Sequence, residues 1–245
     1  MRLNLYISKS GTASRRKADI LVKDGKVKVN GKIILEPYFK TNDADEVSVG
    51  GRRLSHGSYR YFIFNKPKGV TTTNYDRFAD KKVLDFFPGE IRGIFSVGRL
   101  DRESCGLLIL TNDGDLCFKL THPKFLIEKE YSVRLKGRLN QADLFLAEKG
   151  VLSQGEHLRA KNIRIIKKDE TSTSCKVIVT EGKKRHLRRL FLKIGYRVYE
   201  LKRIRIGKLE LKSLGPGEYK EVSRDKIYSF FPRLKSKESE PREIT

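Results

Sequence analysis

Apolar residues at Leu3, Tyr6 and Ile7 recur at helical spacing and predict a first helix that Gly11 ends. Ser14 is a fitting N-cap for a second helix over Arg15 to about Lys23, with Ala18, Leu21 and Val22 as its apolar face and Gly25 as the left-handed residue beyond it. The pattern then changes period. In Lys26-Val-Lys-Val-Asn-Gly-Lys-Ile-Ile-Leu35, valines alternate with lysines and Asn30-Gly31 marks a type I′ turn, which predicts a hairpin. Glu46 to Val49 fits one more strand. Two short helices and a small sheet make residues 1–50 a small α/β module, near the lower size limit for independent stability. The glycine-rich, aperiodic stretch 51–60 reads as a linker.

Residues 61–232 read as a second, larger domain. Strands are expected at Tyr61 to Phe64, Ile94 to Val97, Leu107 to Leu110, Tyr131 to Leu135, Ile163 to Ile166 and Lys176 to Val179. Helices are expected at about Gly114–Leu120, Gln141–Glu148 and His186–Ile194. Asn112 or Asp113 is a candidate cap for the first, and Asn140 with Asp143 for the second. Strands dominate without a βαβ repeat, so the class is α+β with a mixed, largely antiparallel sheet. Residues 233–245 are charged and helix-poor and read as a flexible tail.

The chain has 245 residues, with 53 Lys plus Arg against 30 Asp plus Glu, a formal net charge of +23. That balance points to a polyanionic partner, nucleic acid or an anionic membrane surface, although a basic surface with no such partner has the same composition. A hydrophobic content of 38% excludes disorder throughout. No apolar run is long enough to span a membrane, and the amino terminus is polar too early for a signal peptide. Cys105, Cys117 and Cys175 form no CxxC pair or disulfide framework, so no metal site is expected and cytoplasm is the default compartment.

Residues 1–60 carry 13 Lys or Arg against 6 Asp or Glu. Arg15, Arg16 and Lys17 fall in the first turn of the second helix, where cations oppose the helix dipole; the placement favours a phosphate partner over a solvated face. Lys26 and Lys28 extend the cationic surface. The segment Arg2-Leu-Asn-Leu-Tyr-Ile-Ser-Lys-Ser-Gly-Thr-Ala-Ser-Arg-Arg-Lys-Ala-Asp with Gly25-Lys-Val-Lys-Val-Asn-Gly31 resembles the small RNA-binding module named after ribosomal protein S-four. The resemblance implies that these helices and hairpin grip structured RNA, in enzymes and non-enzymes alike.

Between two apolar strands, Arg99, Asp101, Arg102, Glu103 and Ser104 share a polar loop, with Gly98 and Gly106 allowing tight backbone passage. A carboxylate beside arginines at a strand end stays ionised and can be presented to a ligand, but an Asp in such a turn is most often structural. Asp76, Asp80 and Asp85 have no better claim on chemistry. The segments Gly98-Arg-Leu-Asp101, Gly106-Leu-Leu108 and Thr111-Asn-Asp-Gly114 reproduce the hallmark of pseudouridine synthases of the RsuA/RluB branch. The resemblance implies that Asp101 is the catalytic carboxylate. Glu128-Lys-Glu-Tyr-Ser-Val133 is similar to the block whose tyrosine packs against the target base, here Tyr131; a sheet-face tyrosine is the plainer alternative. Asn65-Lys-Pro-Lys-Gly69 matches the block that opens the catalytic domain and implies an architectural role.

Five of the seven residues from Lys183 to Arg189 are basic: Lys183, Lys184, Arg185, Arg188 and Arg189. Alone they suit phosphate binding or a solvated helix face. In the family one cation of this block lies against the catalytic aspartate, which implies that role for Arg188. His186 stands where glutamine or glutamate is common, and Gly215 where leucine or proline is. The resemblance extends through Gly195 to Gly207 and Leu214 to Tyr219.

The chain is thus expected to be a monomeric ribosomal RNA pseudouridine synthase that needs no cofactor or metal and acts on ribosomal RNA or a subunit assembly intermediate. Asp101, Tyr131 and Arg188 would be catalytic. Arg15, Arg16, Lys17, Lys26, Lys28, Arg99, Lys183, Lys184, Arg185 and Arg189 would bind RNA. The blocks around His122 to Tyr131 and Glu181 to Arg189 look closer to the large-subunit branch. A small-subunit enzyme, a non-catalytic assembly factor and a hydrolase on nucleic acid are the alternatives.

Overall fold

The computed structural model describes residues 1–42, 44–55, 57–73, 80–91 and 93–234. Residues 235–245 and Asp76 lie outside the described residues, whereas Leu234, placed by the sequence in the flexible tail that begins at 233, is buried in a cluster with Ile227 and Phe231. The chain divides into two compact units. One comprises Met1–Arg60 with Pro88–Phe95 and Thr111–Asp113; the other comprises Tyr61–Phe87, Ser96–Leu110 and the chain from Gly114 onward.

In the first unit, α1 (Leu3–Lys9) and α2 (Arg15–Lys23) pack on a four-stranded sheet in the order β2-β1-β3-β4. The Ser14 hydroxyl accepts the Lys17 N–H and caps α2 as expected. β1 (Val27–Val29) buries both valines and exposes Lys28. It returns as β2 (Lys32–Ile33) through Asn30 and Gly31, both at positive φ, the geometry a type I′ turn requires. β3 (Val47–Val49) pairs with β1. Leu3, Ile7, Ala18, Val22, Val27 and Val47 are fully buried and form the core.

The stretch read as a linker contains a further strand, β4 (Arg52–Arg53), antiparallel to β3. Gly50 and Gly51 both have positive φ, so the pair that looked like spacer is a two-residue turn.

The second unit is built on a nine-stranded mixed sheet. Its main path runs β11-β12-β8-β13-β7-β5-β15. The strands are β5 (Tyr61–Lys66), β6 (Phe95–Ser96), β7 (Cys105–Thr111), β8 (Lys129–Lys136), β11 (Asn162–Lys168), β12 (Ser172–Val179), β13 (Val198–Ile206), β14 (Leu209–Glu210) and β15 (Tyr219–Val222). A separate hairpin is formed by β9 (Val151–Ser153) and β10 (Glu156–Leu158). β8 is antiparallel to β12 and β13, while β13 is parallel to β7. This is the expected α+β class.

Two apolar clusters hold the sheet. Val133, Leu135, Cys175 and Val177 pack with Leu187, Leu190 and Phe191 of α5 (His186–Lys193) and Ala147 of α4 (Gln141–Lys149). Leu107 and Ile109 pack with Leu116 and Leu120 of α3 (Gly114–Thr121) and Ile227 of α6 (Arg224–Ser229). The Asn140 side chain caps α4 at the Asp143 N–H. Among the described residues no helix is long and apolar enough to cross a membrane.

β13 escaped the sequence pattern. Its buried positions, Val198, Leu201, Arg203 and Ile206, do not alternate, because the register with β8 shifts between Val198 and Glu200 and between Arg203 and Arg205. A strand with two bulges and a buried arginine carries no period-two signal.

Candidate active site

Asp101 sits in the turn that leads from β6 into β7, half-buried. The turn is clasped from two sides. The buried Thr72 hydroxyl donates to the Leu100 carbonyl at 2.8 Å, and the Ser104 N–H bonds back to the Asp101 carbonyl at 3.0 Å. From below, the fully buried Lys66 donates its ammonium to the carbonyls of Pro67 (2.9 Å) and Ser104 (2.7 Å), with Arg102 O at 3.5 Å. Burial lowers the Lys66 pKa to about 8, against the opposing pull of Cys105, Asp101 and Glu103. The Gly69 N–H also bonds to Arg102 O at 2.8 Å. The Asn65 to Gly69 block, expected to be architectural, builds the support of the Asp101 turn.

Gly106, five residues past Asp101, lies against β13. It has φ +101°, and a Cβ there would stand 2.3 Å from Arg203 O. This is the tight passage the glycine was expected to allow, and it brings Arg203 beside the Asp101 turn.

Asp101 lines a cavity of about 530 Å³. Its sheet floor holds Lys129 and Tyr131 of β8, Val179 of β12, and Leu201 and Arg203 of β13. Tyr131 is directly opposite Val177 on one neighbouring strand and Arg203 on the other. Arg205 bonds Glu130 at 2.6 Å and Glu128 at 3.3 Å, which ties the start of β8 to β13. The segment from Glu181 to Leu187 forms another wall.

Arg188 donates to Glu103 O at 3.1 Å and to Val198 O at 3.1 Å. Burial and then Arg185 lower its pKa, against smaller opposing pulls from Asp101 and Glu103, and among the described residues it makes no ion pair with either carboxylate. Asp101, Tyr131 and Arg188 are therefore gathered around one region.

Arg99, Lys184 and Arg185 line the same cavity and are exposed. Lys183 is tied down by Glu181 at 2.6 Å and His157 O at 2.7 Å. Arg189 is committed internally, to the Glu156 carboxylate and the carbonyls of Ser153 and Lys184. His186 Nε2 donates to Arg159 O at 3.0 Å and burial lowers its pKa; it lines the cavity wall, and its Nδ1 is buried without a partner. Of the other aspartates, Asp80 pairs with Arg102 at 2.9 Å and Asp85 accepts the Lys82 N–H. In the first unit Arg15, Arg16, Lys17, Lys26 and Lys28 are all exposed, with Lys26 3.4 Å from Asp24. Sequence reasoning missed the buried Lys66, Lys129 and Arg203. All three lie in blocks that resemble the family, but nothing in those blocks distinguished them as buried cations.

The family model described as RNA pseudouridylate synthase matches residues 60–193, and that of the S4 domain matches residues 1–47. The chain belongs to the RNA pseudouridine synthase family. It is an RsuA/RluB-type enzyme with an N-terminal S4 RNA-binding domain. It is 38% identical to the ribosomal large subunit pseudouridine synthase B of Bacillus subtilis, over 92% of this chain and 93% of that one. An uncharacterized RNA pseudouridine synthase of Aquifex aeolicus is 36% identical over 93% of this chain and 94% of its own length. A crystal structure of a pseudouridylate synthase superposes with a TM-score of 0.66 at 28% identity, covering 94% of this chain and 99% of that one.

Proposed function

We propose that the enzyme isomerises a uridine of large-subunit ribosomal RNA, with Asp101 acting at the sugar, Tyr131 at the base and Arg188 on the carboxylate. The observation that carries the site is the common setting of these three residues. Asp101 and Tyr131 line one cavity, and Arg188 donates to the Glu103 carbonyl of the Asp101 turn at 3.1 Å. The large-subunit target is supported by the Bacillus subtilis relative, whose name states that substrate.

Pseudouridine formation breaks the N1–C1′ bond, turns the base and joins C5 to C1′. The Asp101 carboxylate serves either by bonding to C1′ or by taking the C2′ proton in a glycal route. The Tyr131 ring walls the base, and its phenol oxygen is the candidate acceptor for the C5 proton. Arg188 aims the carboxylate by holding the Glu103 carbonyl of the same turn. The target uridine leaves its stack at a cost of a few kcal/mol. Phosphate contacts from exposed Arg99, Lys184 and Arg185 at the cavity, and from Arg15, Arg16, Lys17, Lys26 and Lys28, offset that cost. Lys183 and Arg189 support the cationic wall through their internal bonds.

The test is to incubate purified large- and small-subunit ribosomal RNA separately with the enzyme and map pseudouridine. A new site in the large-subunit RNA alone is expected. A new site only in the small-subunit RNA overturns the target and leaves the chemistry standing; no product on either RNA overturns both.

A further inference from the structure

Two buried cations, Lys129 and Arg203, line the cavity, and a third, Lys66, lies under the Asp101 turn. Lys66 is fully buried, Arg203 is 3% exposed and Lys129 is 9% exposed. Arg203 is paired with Gly106, two residues past the Ser104 carbonyl that Lys66 holds, and with Tyr131, two residues past Lys129, and it accordingly lowers the pKa of both lysines. Lys129 donates to two carbonyls, Ile127 O (3.1 Å) and Thr180 O (3.4 Å). Arg203 Nε donates to Leu107 O at 2.7 Å, while its Nη2 is buried without a partner. Among the described residues no carboxylate lies within ion-pair distance of Lys129 or Arg203. The carboxylates lining the cavity are Asp101 and Glu181, and Glu181 is held by Lys183.

Isolated charge is costly to bury, and an unpaired guanidinium nitrogen adds its own desolvation cost. Such an arrangement fits a site where negative charge arises during reaction. Its position says which charge. Arg203 lies directly across the β8–β13 ladder from Tyr131, and Lys129 is two residues before Tyr131 on the same strand face. Both therefore stand on the floor where the base is placed. The exposed cations Arg99, Lys184 and Arg185 are the ones solvated phosphates can reach.

We propose that Arg203, assisted by Lys129, holds the uracil as an anion between cleavage of the N-glycosidic bond and formation of the C-glycosidic one. This rests on the reading of Asp101 and Tyr131 above. When N1–C1′ breaks, its electron pair stays with the base and spreads over N1, O2 and O4. The electron demand at C1′ is met by the Asp101 carboxylate, or by loss of the C2′ proton in the glycal route. Arg203 donates a hydrogen bond to a base carbonyl, which gains negative charge only after cleavage, so the contact strengthens as the bond breaks. The base turns, C5 bonds to C1′, the carboxylate leaves (or C2′ regains its proton), the C5 proton departs and N1 takes one up. Atoms and electrons balance with no co-reactant.

The experiment compares single-turnover rates at saturating enzyme on large-subunit RNA transcribed with uridine or with 5-fluorouridine, following loss of the N-glycoside at the target. Fluorine stabilises the base anion and lessens the need for a protein cation. Arg203→Gln should slow the uridine reaction by about 100-fold and the fluorinated one by less than about 10-fold. Arg203→Lys, which keeps a charge, should fall between wild type and Arg203→Gln on uridine. Equal slowing on both RNAs, or a wild-type rate with weakened RNA binding as a phosphate contact would give, overturns the proposal. If the Arg203 variants do not fold, Lys129→Gln is read by the same ratio, and absence of a fluorine effect overturns it. Wild-type enzyme inactive on uridine RNA would instead defeat the underlying functional reading.

Discussion

Gly106→Ala tests how closely the strand carrying Arg203 must approach the turn carrying Asp101. The new Cβ would stand 2.3 Å from Arg203 O and 2.8 Å from Arg203 N, both backbone atoms of β13. Ordinary van der Waals separation is about 3.5 Å, so the strands must part by roughly 1 Å. Left-handed backbone at φ +101° adds about 1–2 kcal/mol for a residue with a Cβ. Forced overpacking adds about 1–3 kcal/mol, and a lost ladder hydrogen bond about 1 kcal/mol. The expected total is about 3–6 kcal/mol, a large share of the roughly 5–15 kcal/mol that stabilises a typical domain. In a thermal melt this is a fall of roughly 6–24 °C. Gly98→Ala is the matched control: φ is +71°, but its Cβ meets only the Thr121 methyl at 3.5 Å, so only the conformational cost of about 1–2 kcal/mol remains. Pseudouridine formation below the melting transition should also drop sharply for Gly106→Ala. A Gly106→Ala protein that melts within a few degrees of wild type and turns over normally would refute the close approach.

Three further outcomes are expected. Burial holds Lys66 and Lys129 at about 8, down from 10.5. Between those values the folded chain has released protons that the unfolded chain keeps, so the penalty present below pH 8 is relieved as pH rises towards 10.5. Urea denaturation across that range should show the stability of wild type rising relative to Lys66→Met, by up to about 3 kcal/mol; a constant difference would show that the Lys66 proton is not linked to folding. Replacing Arg15, Arg16 and Lys17 together by Ala should raise the apparent Kd for RNA and flatten its salt dependence, with the saturating single-turnover rate unchanged, as filter binding over a salt series would report; unchanged Kd and salt slope would remove this cluster from the RNA-binding surface. Arg188→Ala should lose activity by about 100-fold or more while unfolding only about 1–3 kcal/mol more easily, the cost of leaving Val198 O and Glu103 O unpaired; near-normal turnover would remove Arg188 from the site.

Local chemistry was legible wherever one residue type dictates one geometry. Ser14 announced α2, Asn30-Gly31 the first hairpin, and Asn140 the start of α4. Gly50-Gly51 carried the same kind of turn signal, but Arg52–Arg53 is too short and too charged to register as a strand. The hairpin of β9 and β10 was hidden for a similar reason, with only Leu158 fully buried among its six residues. The hallmark around Asp101 marked the site because its glycines, leucines and carboxylate stand in fixed order. What surrounds it was not legible. Nothing in sequence marks Lys66 and Arg203 as buried, and only the sheet order β8-β13-β7-β5 brings their strands together beneath Asp101. Arg189 shows the converse: it sits in a basic run, yet its guanidinium is spent on the β9–β10 hairpin.

The central claim is that the Asp101 carboxylate performs the chemistry, and Asp101→Asn tests it most directly. The side chain is half-buried in a turn whose backbone carbonyls accept from the Thr72 hydroxyl, the Lys66 ammonium and the Ser104 N–H, so the amide should be accommodated without unfolding. Release of tritium from C5-labelled uridine in ribosomal RNA measures turnover, and filter binding measures affinity on the same samples. The account requires no detectable release by Asp101→Asn with RNA affinity within a few fold of wild type. Substantial release by that variant would contradict it.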